Sequence, residues 1–157
     1  MVHSPNEENN LFRKLNMNKE ELRIGNWVNR YLGTDDNGPQ YKQVKITGVM
    51  VDLIGDFYYL DPLHNTWVLD TQNLEPIPLT EEYLLKFGFI QVMEGYLKFD
   101  EYRKGLITLC AVGGNVHKFQ LMIRGNCLPI FIDYVHTLQN ICYYLGQDLT
   151  FKETLNG

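Results

Sequence analysis

The segment from Pro129 to Gly146 constrains this chain most, because it has the spacing of one packed helix with a definite end. Tyr134, Leu138, Ile141 and Leu145 recur at i, i+4, i+7 and i+11, with Val135 and Cys142 alongside, and form one apolar stripe. Gly146 stands where a left-handed residue closes a helix without a side chain to clash. Opposite lies a second stripe of Asp133, His136, Asn140 and Tyr143, the densest polar grouping on any predicted element.

Such a helix needs a surface to pack on, and the composition favours a sheet. Ten Tyr and eight Phe suit strands better than a helical bundle, and 45% hydrophobic residues suffice for a real core. At 157 residues the chain fits one domain, or two small subdomains sharing a core. A net charge of −5 weighs against nucleic acid as a partner, since phosphate neutralisation needs a basic surface. Arg103 with Lys104, and Lys118 with Arg124, are the candidates for a local basic patch. Cys110, Cys127 and Cys142 lack CxxC spacing; Cys110 lies in an apolar run and Cys142 on the helix's apolar side, as buried thiols in a reducing compartment would. No apolar run approaches the ~20 residues of a membrane helix, and Met1 to Asn10 is polar. A cytoplasmic protein with no membrane partner is expected.

Residues 1–16 form a polar lead-in, dispensable for folding if translation can begin at Met17; alternatively, Leu11 to Leu15 makes a short docking helix. Residues 17–75 predict an SH3-like antiparallel β region. Its strands are Leu22 to Leu32 with a bulge at Gly25, Val44 to Ile46, Val49 to Leu53 beyond a kink at Gly48, Phe57 to Leu60, and Thr66 to Leu69. Turns fall at Gly33 to Pro39 and Asp61 to Asn65. Residues 76–157 predict an α+β subdomain entered by the stiff connector Glu75-Pro76-Ile77-Pro78. Thr80 caps a short helix, Glu81 to Phe87, which ends at Gly88 and makes its apolar contacts through Leu84, Leu85 and Phe87. A small antiparallel sheet follows, with strands at Phe89 to Met93, Tyr96 to Asp100, Leu106 to Val112 and His117 to Arg124. The third of these is apolar on both faces, like a covered central strand. The C-terminal helix packs across this sheet, completing an α+β fold.

Three segments, LRIGNWV from Leu22, LEPIPLTEEYLLKFGF from Leu74 and YVHTLQN from Tyr134, occur in an order that resembles a loose group of uncharacterised small proteins of gut Bacteroidetes and their phages or mobile elements. The resemblance spans Met17 to Leu149. The loop Gly33 to Gln40 and the lead-in depart from the group's shorter form. It implies a phage or mobile-element setting, and it carries no chemistry.

The chemical motifs are sparse. His3, His64, His117 and His136 are widely spaced, and Asp133 with His136 makes half a metal site, so no metal or other cofactor is expected. The single serine, Ser4, lies in the lead-in, and Cys127 with His117 or His136 has nothing to mark it as a catalytic pair. Glu81-Glu82 has a capping explanation, Asp35-Asp36 sits in a turn, and Gly113-Gly114-Asn115 reads as hairpin chemistry before it reads as a phosphate cradle. Tyr31, Tyr41, Tyr58, Tyr102, Tyr143 and Tyr144 exceed what one small core can take, which points to an interface.

The expectation is therefore a non-enzymatic binding protein that self-associates or holds a protein partner. Its main rival is a small-ligand trap, for instance for a nucleotide signal of host defence, and an enzyme of unknown reaction is third. The candidate ligand-binding residues are Tyr102, Arg103, Lys118, Arg124, His136, Asn140 and Tyr143.

Overall fold

The computed structural model describes residues 21–51, 53, 55–61, 66–69, 73–92, 100–113, 115–147 and 149. The lead-in, all but Asp61 of the expected turn Asp61 to Asn65, and all but Asp100 of the expected strand Tyr96 to Asp100 lie outside these residues. The chain divides into two compact units, Met1–Pro76 and Ile77–Gly157. Each holds one five-stranded antiparallel sheet, and the described helices lie in the second, so the class is α+β.

In the first unit, β1 (Trp27–Asp35), β2 (Gly38–Val51), β3 (Asp56–Asp61) and β4 (Thr66–Leu69) form a meander. The two-residue β5 (Leu74–Glu75) then returns to pair with β1, giving the order β4-β3-β2-β1-β5. The first strand starts later than the sequence suggests. Leu22 to Asn26 is a turn, in which the Arg23 N–H donates to Asn26 Oδ1 at 2.7 Å and Gly25 takes φ +99. Conversely, the expected loop from Gly33 to Pro39 shrinks to Asp36-Asn37, with Asp35 paired to Gly38. The Asp35 carboxylate holds that turn by accepting from the Asn37 N–H at 2.8 Å. Register shifts between Tyr31 and Gly33 and between Ile46 and Gly48 bend β1 and β2. Alternation then places Val28, Val44, Ile46, Tyr58 and Leu60 in one core with Leu22 and Leu74.

The second unit opens with a connector that acts as a strap. The Leu79 N–H donates to the Asp133 carbonyl and the Val135 N–H to the Ile77 carbonyl, at 2.8 and 2.9 Å, around a Pro78–Tyr134 bridge. Thr80 caps α1 (Glu81–Lys86) as expected, accepting from the Tyr83 N–H at 3.4 Å. Leu84 and Phe87 are buried, whereas Leu85 is exposed, a correction to the apolar face read from sequence. Strands β6 (Ile90–Val92), β7 (Glu101–Lys104), β8 (Ile107–Val112), β9 (Asn115–Ile123) and β10 (Asn126–Ile132) form a sheet in the order β10-β9-β8-β7-β6. The central position of β8 matches the sequence reading, but its burial is one-sided: Ile107 and Leu109 are buried and Thr108 and Cys110 half-buried.

The last helix, α2 (Val135–Tyr144), is shorter than the apolar text that announces it. Pro129 to Ile132 belong to β10, an edge strand among the described residues, where Pro129 is tolerated because one side of the ladder has no described partner strand. The helix ends as expected at Gly146, with φ +66. There the Gly146 N–H reaches the Tyr143 carbonyl at 3.0 Å and the Gln147 N–H the Cys142 carbonyl at 2.8 Å, a Schellman closure. The buried face runs through Val135, Leu138, Gln139 and Cys142 with His136, so Tyr134, Ile141 and Leu145 fall at its half-buried margins. The packed stripe is thus rotated from the expected one, with Val135, Leu138 and Cys142 common to both.

Burial pushes the Cys142 thiol up to about 12, against the weaker pull of Lys104. The half-buried Cys110 thiol is also raised, by burial and then by the Glu101 carboxylate. Cys127 is exposed, which corrects the expectation of buried thiols for one of the three. Alkylation near pH 8 should therefore modify Cys127 first, Cys110 slowly and Cys142 after unfolding, because the thiolate is the reacting form. Mass mapping of a time course checks this order; native modification of Cys142 at the Cys127 rate would contradict the packing of α2.

Candidate functional site

The second sheet has two unlike faces, set by strand alternation. Tyr102, Ile107, Leu109, Phe119, Leu121 and Ile132 are buried on the face that packs with α2. Tyr102 meets Phe119 edge to face at 5.9 Å. Its phenol is pushed up to about 12 by burial and then by the Glu81 and Asp100 charges. Tyr102 is therefore a core residue and presents no ligand surface, and the same holds for Tyr58 in the first unit.

The other face carries Glu101 and Arg103 on β7, Thr108 and Cys110 on β8, Lys118, Gln120 and Met122 on β9, and Cys127 and Phe131 on β10. Paired positions fix this grouping: Glu101 faces Cys110, Arg103 faces Thr108, Thr108 faces Met122, Met122 faces Cys127 and Gln120 faces Phe131. The Cys110 thiol sits 3.3 Å from Met122 Sδ, and Arg103 is ion-paired to Glu101 at 2.7 Å. At one end of this face, where the β7–β8 and β9–β10 hairpins lie side by side, is a cleft of about 370 Å³. Glu101, Arg103, Thr108, Met122 and Arg124 line it, with Gly105 in the β7–β8 turn. The Arg124 N–H donates to the Leu106 carbonyl at 2.9 Å, tying the two turns together.

Of the residues proposed from sequence, Arg103 and Arg124 converge here. Lys118 does not: it lies on β9 six residues before Arg124, roughly 20 Å along the strand from that turn, with its ammonium 4.7 Å from the centre of the Phe131 ring. On α2 the expected polar stripe splits. His136 is buried and stacked on the Tyr134 ring at 5.8 Å, Asn140 is half-buried, and Tyr143 is exposed. The strap from Ile77 to Leu79 bonds to Asp133 and Val135 at the start of the helix, just before His136. Glu101 and Thr108 are cleft residues that the sequence reading passed over; period-two alternation from Arg103 and Cys110 would have found them.

Gly113 takes φ +63 in the β8–β9 turn, as a hairpin residue does, while Gly114 lies outside the described residues. Among the described residues, no three His, Cys, Asp or Glu side chains gather to hold a metal ion. None of the described helices is long and apolar enough to cross a membrane. Comparisons with protein-family models, curated proteins and solved structures find no match.

In the first unit the prominent surface is the far end of the β2–β3 hairpin. Val49, Met50, Val51 and Leu53 are 39, 44, 77 and 105% exposed. At the other end of β2, Tyr41 pairs with Tyr31, their rings 5.6 Å apart, and donates to Glu75 Oε1 at 3.0 Å.

Proposed function

We propose that this protein is a non-enzymatic binding module that self-associates through the end of the β2–β3 hairpin. The observation that carries this reading is the run of exposed apolar side chains at Val49, Met50, Val51 and Leu53. Scattered apolar residues on a surface need no explanation, but four exposed ones within the five positions 49–53, at the end of one hairpin, do. Desolvating these side chains against a second copy removes apolar area at about 25 cal/mol per Å². They form the apolar centre of the contact, and polar flanks of the hairpin supply its rim.

The SH3-like assignment of the first unit belongs to the same proposal. It is supported by the four-strand meander, the return of β5 to β1 and the bends in β1 and β2. The phage or mobile-element setting rests on the sequence resemblance alone.

The double substitution Val51→Lys, Leu53→Lys tests the reading. Both positions are exposed within one copy, so the folded circular dichroism spectrum should be kept while light scattering shows the assembly falling to monomer. A double mutant with the same mass as the parent assembly would show that the hairpin end is not the contact.

A further inference from the structure

We propose that the cleft between the β7–β8 and β9–β10 turns binds a small phosphate monoester, gripped by Arg103 and Arg124. This site is in the second unit and does not depend on self-association through the first.

The strongest indication is the backbone at Arg124. Ile123 pairs with Asn126, so Arg124-Gly125 is a two-residue hairpin loop, with φ +51 and +79. Such a loop calls for Asn-Gly or Gly-Gly, because both central residues must be left-handed. Arg124 is the single non-glycine residue with positive φ among the described residues. A residue with a Cβ is disfavoured there, and Arg has no short polar side chain to offset the cost locally. Strain of this kind points to a task for the side chain itself. Here it places a guanidinium on the cleft rim, and among the described residues that guanidinium has no hydrogen bond or ion pair.

The opposite wall carries the matching chemistry. Arg103 is held by Glu101 at 2.7 Å, which orients its guanidinium without burying it. Between the two arginines, Thr108 offers a hydroxyl from the central strand. Three donor groups from three segments suit the three terminal oxygens of a phosphate better than the two of a carboxylate. With Glu101 counted, the side chains around the cleft sum to about +1, a local reversal of the chain's −5. Glu101 also supplies an acceptor for a hydroxyl or amino group on the ester's organic part. A volume of about 370 Å³ is at the small end of ligand sites, which favours a sugar phosphate or mononucleotide over a polymer.

Calorimetric titration with inorganic phosphate, ribose 5-phosphate, adenosine monophosphate and succinate tests the site. The esters are expected to bind, and succinate is not. Arg124→Asn is the informative variant, because Asn suits the left-handed turn position. It should keep or raise the thermal midpoint while weakening ester binding about tenfold or more, and Arg103→Gln should weaken it similarly. Lys118→Gln, outside the cleft, should leave binding unchanged. Absence of ester binding at millimolar concentration, wild-type affinity in Arg124→Asn, or equal binding of succinate would each overturn the proposal. Binding of inorganic phosphate with no gain for the esters would overturn the ester assignment.

Discussion

Replacing Leu138 with Ala is expected to lower the stability of the second unit by about 2–5 kcal/mol. The side chain is fully buried at the centre of the packed face of α2, between Val135 and Cys142. Truncation therefore loses transfer free energy and leaves a cavity that the sheet, held by its ladder, fills poorly. Ile141→Ala should cost clearly less, because Ile141 is half-buried at the margin of that face. Urea unfolding followed by circular dichroism checks both. Equal losses would place the apolar stripe where the i, i+4, i+7 reading put it; a loss below about 1 kcal/mol at Leu138 would deny the packing altogether.

Ile46→Ala is expected to destabilise the first unit by a similar amount, about 2–5 kcal/mol. Ile46 is fully buried beside Val44, Tyr58 and Leu60, and its N–H and carbonyl bond to Asn26 and Gly25 at 2.9 and 2.7 Å. Five residues on, Val51→Ala should change the stability of the dissociated chain, measured at high dilution, by no more than about 0.5 kcal/mol, because Val51 is exposed within one copy. Both tryptophans, Trp27 and Trp67, belong to the first unit, so indole fluorescence in urea follows that unit. Similar costs at Ile46 and Val51 would mean that the hairpin end is packed, and the binding surface assigned to it would be lost.

The parts of this fold legible in the sequence were those set by local chemistry. Thr80 and the glycines at 88 and 146 mark helix ends because capping and left-handed closure are decided within one turn of chain. Val44 to Ile46 reads as a strand because alternation is strict, and both residues lie in the core. The misreadings come from elsewhere. Pro129 to Ile132 is a short apolar run, and such a run fits a strand or a helix equally well by periodicity. Gly33 to Pro39 is rich in turn residues, yet long-range pairing of β1 with β2 draws most of it into strand.

The rotation of α2 had no local signal, since the chain from Asp133 to Val135 that starts the helix is tied to the strap from Ile77 to Leu79, more than fifty residues earlier. The cleft was half-legible. Arg103 and Arg124 stood out as cations, but bringing them together requires the register of β7 on β8 and β8 on β9. The turn at Arg124-Gly125 escaped notice because arginine is a poor marker of left-handed backbone.

Sedimentation equilibrium of the full chain over a wide concentration range tests self-association through an apolar surface. A stable contact of this kind buries about 1,200–2,000 Å² in total. One assembly of dimer mass or larger, persisting to low micromolar concentration, is the expected result. A monomer throughout the range would contradict it.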